Sequence, residues 1–358
     1  MFVAAPFDSV VSLLPANVTH SAVHRASSTP SSQAIQVRSL VVDGQPVNEV
    51  MINVRDPHIE VQPAIANHEL GTTATLTQIA QQNHAIAAIN GTFFDAGGDN
   101  FPAGALELNG QFVYNDKGTL LGIGTQGQLT MLRATEELSL NVYDPTNTIS
   151  NLWPWFLNTL STNPMRISVL TPFYGPRTRD SSSVVAEVEN NKIVAIHDGT
   201  TPIPSNGYDI EIGAGEAKTP IMQRVHVGDR AVWGDTVVSL DTGKTVPFSA
   251  YPNAIGAGPM LLNNGRIDIE PAKEGLDNYE VVDAVTLRSV VGFNSSGQLV
   301  FLTIHDANVY QEAQIAKALG LTYAMNLDGG SSTGLWYEGR YLTVPQRALA
   351  TAIVVEER

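Results

Sequence analysis

The run Asn326-Leu327-Asp328-Gly329-Gly330-Ser331-Ser332-Thr333 constrains this chain more than any other stretch. It is reached through a fixed order of elements. Leu302 to Asp306 reads as the end of a strand. Glu312 to Leu319 reads as a helix whose Ala313, Ile315, Ala316, Ala318 and Leu319 face a core. Gly320 is placed to stop that helix, and Tyr323-Ala324-Met325 re-enters a sheet. The backbone must then turn at Asp328-Gly329-Gly330. Glycine permits positive φ and close approach of a ligand to the main chain. One carboxylate, two hydroxyls and several main-chain N–H groups fall within a few residues. Such a cluster suits an anion or sugar site, and it also suits a plain polar turn.

A second loop repeats the same logic far upstream. Thr75 to Asn83 reads as a helix capped by Thr75, with Leu76, Ile79 and Ala80 inward. The apolar run Ala85 to Ile89 then ends in Asn90-Gly91-Thr92-Phe93-Phe94-Asp95. Ligands favour strand ends of this kind in mixed α/β folds. Alone, this stretch reads as a turn with two core phenylalanines. The acids that follow do not match a calcium-loop spacing.

Elsewhere short alternating runs are joined at Asp43-Gly44, Asn109-Gly110, Gln126-Gly127, Ser296-Gly297 and Glu338-Gly339, the signature of hairpins. Trp153, Trp155 and Phe156 are expected in a core helix, with an aromatic wall for a sugar as the alternative. Many short strands and few helices predict an α+β fold: a large mixed, mostly antiparallel sheet system in a single domain. That domain is expected over 35–358. The Ser-rich stretch from Ala22 to Gln33 has no apolar period, so 1–34 is expected to be a flexible leader or a processed segment.

The formal net charge of −15 over 358 residues argues against nucleic acid or an anionic membrane surface as partner. No apolar run is long enough for a transmembrane segment. The absence of cysteine excludes disulfides, thiolate metal sites and a cysteine nucleophile. There is no Gly-x-Ser-x-Gly elbow and no His-Glu-x-x-His helix. His305, the one histidine beside the motif region, is expected to be structural.

Five pieces occur in one order: Ala88 to Phe94, Gly256-Ala257-Gly258-Pro259, Arg288-Ser289-Val290-Val291-Gly292, Asn326 to Ser332, and Arg347. That order resembles the phosphodiester glycosidase family over roughly 35–355. Ser331 stands where the family usually has a third glycine, and Asp306-Ala307-Asn308 departs from its usual turn; these differences bear on substrate more than fold. The resemblance implies a hydrolase that splits a sugar-1-phosphodiester into free sugar and phosphomonoester. The implied catalytic residues are Asp328, then Asp306, at the anomeric carbon, with Arg288 on the phosphate. Asn90, Gly91, Phe93, Asn326, Gly329, Gly330, Ser331, Ser332 and Arg347 are the implied substrate contacts, with Asn90 and Asn326 either binding sugar or fixing the acid. No metal site is assigned, and a calcium or magnesium ion between Asp306 and Asp328 is the alternative. The implied setting is bacterial, extracellular or periplasmic, on a cell-envelope or exopolysaccharide glycan. The competing class is a non-catalytic carbohydrate-binding or exopolysaccharide assembly protein. Oligomeric state is left open.

Overall fold

Hydrophobic alternation closed by left-handed turn residues builds most of this chain into antiparallel strands. The computed structural model describes residues 18–19, 34–159, 161, 163–215 and 218–358. The leader expected over 1–34 lies outside these residues, apart from strand Val18–Thr19, which pairs with Val41 and Val42, and the buried Ala34.

Three sheets carry the fold. The first has eight strands, running Val18–Thr19, Ile35–Val42, Gln45–Ile52, Leu299–Ala307, Thr286–Asn294, Leu321–Asn326, Met260–Asn263, Arg266–Ile267. Strand alternation sends Val290, Val300, Leu302 and Ile304 under helix Val309–Ala318. Val291, Leu299, Phe301 and Met325 go to the other face. The helix begins three residues before the expected Glu312. Asn308 caps it: Gln311 N donates to Asn308 Oδ1 at 3.0 Å, and Asn308 N donates to Gln311 Oε1 at 2.9 Å. Gly320, at φ +85°, follows its end as expected.

The second sheet runs Arg340–Thr343, Leu335–Tyr337, Ala85–Asn90, Thr351–Glu357, Ile59–Ile65. Helix Leu76–Gln82, capped by Thr75, lays Leu76, Ile79 and Ala80 against Ala88, Trp336 and Val354. The third sheet has twelve strands centred on Leu129–Tyr143. Among the described residues its one parallel pair joins Phe156–Leu157 to Ile167–Leu170.

One apolar core draws Phe301 from the first sheet, Ile89 and Ile353 from the second, and Leu121 from the third. The α+β single-domain architecture is therefore as the strand pattern predicts. Buried Arg133 adds a polar tie, with Asp268 and Glu274 each 3.0 Å from its guanidinium. Among the described residues no helix is long and apolar enough to cross a membrane.

One expectation fails. Trp153 and Trp155 are 69% and 54% exposed and lie in no helix. They flank the short strands Ile149–Leu152 and Phe156–Leu157 at the margin of the large sheet.

Candidate functional site

Strands Ala85–Asn90 and Leu321–Asn326 belong to different sheets, yet their ends meet. The junction is Asn90. Its Nδ2 donates to Asp328 O at 2.7 Å, across 238 residues of sequence. Its Oδ1 accepts from Ser289 Oγ at 2.6 Å and from Gly334 N at 3.0 Å. Asp328 N donates in return to Gly91 O at 3.2 Å, and Leu327 N to Ser289 O at 2.8 Å. Asn90 is buried, so it fixes the acid's loop and does not meet solvent. Gly91 is needed for the approach: a Cβ there would lie 2.4 Å from Thr351 Oγ1.

The Asp328 side chain is half-buried. Burial pushes its carboxyl up to about 6, against the opposing pull of the Ser332 hydroxyl, the Arg347 charge and the Gly329 N–H. Gly330, at φ +58°, then opens a single 3₁₀ turn, Gly330–Ser332. Ser331 is partly exposed on this turn, and Ser332 is buried.

Arg347 completes the loop from outside. Its Nε donates to Ser331 Oγ at 2.6 Å, and its guanidinium carbon stands 5.7 Å from the centroid of the Phe94 ring. Gln346 N donates to Ser331 O at 2.7 Å, which holds the Arg347 segment against the turn. The side chain is exposed, and no carboxylate among the described residues lies within ion-pair distance of it. Phe93 is partly exposed beside Phe94, in the strand Phe93–Phe94 paired with Pro102–Ala103.

Arg288 corrects the expectation placed on it. It is 2% exposed, and its donors are already engaged. Nε donates to Ala307 O at 3.1 Å and lies 3.1 Å from Glu312 Oε1. Nη1 donates to Val281 O at 2.9 Å, and Nη2 to Ala284 O at 2.5 Å. Arg288 lies directly behind Gly329, where a Cβ would sit 3.4 Å from Arg288 Cδ. It buttresses the loop and offers no free fork to a ligand. Asn326 is likewise fully buried: its Nδ2 donates to Gly258 O at 2.8 Å, which braces the Gly258-Pro259 bend. No part of its side chain is exposed to meet a sugar, which leaves the expectation that it fixes the acid's loop. Its Oδ1, like the buried Thr333 Oγ1, has no partner among the described residues.

Asp306 stands apart from this network. It is exposed, has φ +52°, and its side chain makes no hydrogen bond or ion pair among the described residues. Among those residues no group of three or more His, Asp or Glu side chains gathers as a metal cage.

Phe94, Ser289 and Glu312 were not singled out from sequence as parts of this arrangement. A Phe-Phe pair looks like core, and a Glu in a first helical turn looks solvated. The Asn308-x-x-Gln311 capping box, which sets the true helix start and turns Glu312 inward, was the readable signal.

Residues 182–356 match the phosphodiester glycosidase family. The stretch includes Arg288, the Asp328 loop and Arg347, whereas Asn90 and Gly91 lie upstream of it. The phosphodiester glycosidase match is narrower than the 35–355 over which the motif order was read. No curated protein matches the chain. Among solved structures, a hypothetical protein from Synechocystis is 27% identical with a TM-score of 0.77, over 90% of this chain and 62% of that one. The chain thus spans less than two thirds of that relative's length. A Burkholderia pseudomallei protein described as exported shares the fold, with 18% identity and a TM-score of 0.71 over 89% of this chain and 74% of that one. The catalytic domain of zebrafish N-acetylglucosamine-1-phosphodiester α-N-acetylglucosaminidase, auto-inhibited by its pro-peptide, overlaps at a TM-score of 0.47. It has 13% identity over 96% of this chain and 89% of that one, too loose a likeness to carry an argument.

Proposed function

We propose that this chain hydrolyses a glycosyl phosphodiester, releasing the sugar and leaving the phosphate as a monoester. The observation that carries this reading is a guanidinium with no carboxylate partner among the described residues, Arg347, seated against the loop that holds a carboxyl of raised proton affinity, Asp328. A phosphodiester bears one negative charge on two oxygens, and a guanidinium matches them with two parallel hydrogen bonds. Arg347 spends one donor on Ser331, so its outer edge stays free for phosphate. Cleavage at the anomeric carbon builds positive charge on the sugar ring. Ionised Asp328 offsets that charge, or takes the proton of the attacking water. The water oxygen bonds to the anomeric carbon as the bond from that carbon to the phosphate oxygen breaks, and the phosphate departs as the monoester.

The half-exposed Gly329, Gly330 and Ser331 lend main-chain N–H and hydroxyl donors to the same anion. Arg288 serves at one remove, by holding Gly329 from behind. An extracellular or periplasmic glycan of the cell envelope is the substrate setting in this reading. The test is turnover of a panel of nitrophenyl and alkyl diesters of sugar-1-phosphates, with UDP-linked sugars, followed by mass spectrometry. Free sugar and phosphomonoester are expected from at least one member, and not from Asp328→Asn. Retention of glycans with no turnover across the panel would make the chain a binding protein instead.

A further inference from the structure

A different surface, on the twelve-stranded sheet, has the make-up of a second ligand site. A cavity of about 530 Å³ opens where the Asn190-Asn191 turn and the Asn206-Gly207 loop converge over Tyr208 and Trp233. Ligand sites commonly span ~300–1,000 Å³. The Tyr208 and Trp233 rings meet edge to face, with centroids 6.4 Å apart. The amide side chains of Gln111, Asn190, Asn191 and Asn206 line the opening, and none hydrogen-bonds to the protein among the described residues. The Tyr208 hydroxyl is buried and has no partner among those residues. Buried hydroxyls normally find one.

The local chain is shaped to hold this arrangement. Asn190 and Asn191 both adopt left-handed backbone, at φ +50° and +59°. Gly207 is held so close to the neighbouring strand that a Cβ would lie 1.9 Å from Val188 O. The floor beside Thr171 is rigid: Thr171 N donates to Asn158 Oδ1 at 2.6 Å, and Asn158 Nδ2 returns a bond to Thr171 Oγ1 at 2.8 Å.

We propose that this cavity binds an uncharged sugar unit. Aromatic faces take the apolar C–H face of a pyranose, and amide tips donate to and accept from its ring hydroxyls. Among the described residues no charged side chain lines the cavity, so a phosphate-bearing ligand finds no counter-charge from them there. That separates it from the loop of Arg347. The two surfaces share no residue, and the proposal does not rest on hydrolysis at Asp328.

The experiment is calorimetric titration of the full chain with chitobiose, cellobiose and maltose and their tetrasaccharides. Saturable binding of at least one is expected. Trp233→Ala should abolish it. Asn206→Ala and Tyr208→Phe should each weaken it by about tenfold, the size of one hydrogen bond. Tyr208→Phe guards against misfolding, because deleting an unpartnered buried hydroxyl should keep or raise Tm. Turnover of a nitrophenyl sugar phosphodiester should be unchanged in all three folded variants. The proposal is overturned if no neutral sugar binds, or if binding survives undiminished in Asn206→Ala and Tyr208→Phe. It is equally overturned if Ser331→Ala removes the binding, which would assign the sugar to the other loop.

Discussion

Arg288 and Arg347 both reach the Asp328–Thr333 loop, one from inside the protein and one from outside. Arg288 arrives from a strand, under the first turn of helix Val309–Ala318, and meets Glu312 and main-chain carbonyls. Arg347 arrives from an exposed segment and meets one hydroxyl and one ring. A guanidinium must satisfy its donors wherever it is desolvated, so the buried one is consumed by its own fold. The exposed one keeps its charge available. What each arginine can do for a substrate is thus decided by what remains unsaturated, more than by which motif it belongs to. Arg288 belongs to one of the motifs that drew attention from sequence, and it is the less available of the two.

The largest effect should come from the buried side. Arg288→Met leaves Glu312, whose carboxyl is pushed up to about 8 by burial, and the carbonyls of Val281, Ala284 and Ala307 without their buried donor, and each polar group orphaned in this way costs about 1–3 kcal/mol. Urea melts should show this loss, and Arg288→Met combined with Glu312→Leu should recover much of it. Turnover per folded molecule should stay within a few-fold of the parent. A variant that folds normally but cannot hold substrate would put Arg288 back on the phosphate and end the contrast.

Asp328→Asn should do the reverse. Loss of one pre-organised charge typically costs on the order of a hundredfold or more in kcat. The Asn variant should melt no lower than the parent near neutral pH, because burial already disfavours the ionised acid. Thermal midpoint and turnover measured on the same sample separate a chemical role from a structural one.

Some of this was readable in advance. Turns at Asp43 and Asn109 follow from the tolerance of aspartate and asparagine for positive φ, and the structure puts both there. Thr75 announced its helix as a cap, and the structure closes a capping box between it and Gln78. Asn90 and Asp328 follow two similar strand ends in the sequence, and in the structure a hydrogen bond joins them. Burial of individual polar groups was not readable. Nothing local in Arg288-Ser289 says that Val281, Ala284 and Glu312 will converge on that guanidinium, since those contacts depend on how distant elements pack. Asn326 looked like a sugar contact for the same reason. The error at Trp153 and Trp155 ran the other way: indoles were expected inside, but strand order alone decides which apolar run ends up at a margin.

Arg347→Lys should raise KM by roughly tenfold and lower kcat less, since the charge stays and the two-pronged geometry goes. Stability should move by no more than about 0.5 kcal/mol, as for other exposed positions. Unchanged KM in the Lys variant would mean that the paired geometry is not used. Phe94→Leu, which removes the ring but keeps the bulk, should give a smaller change in the same direction.

The smallest effect is the most selective between the two arginines. If Asp328 works as the ionised carboxylate, kcat/KM rises with pH through an apparent pKa of about 6. Arg347 lowers that value, so its removal must raise it: Arg347→Gln should move the rising limb to higher pH, by about a unit or less at an exposed charge. Arg288 is not among the influences on the Asp328 carboxyl, so Arg288→Met should leave the limb where it is. Stability carries the opposite sign. An acid whose folded pKa is raised contributes fully below its ordinary 3.8, and that contribution is lost as pH climbs to about 6. Asp328 therefore gains activity over the same interval in which it gives up stability. Subtracting the pH–stability curve of Asp328→Asn from that of the parent isolates this term. A limb near 4 in the parent, unmoved in Arg347→Gln, would mean that Arg347 and Asp328 do not share a site.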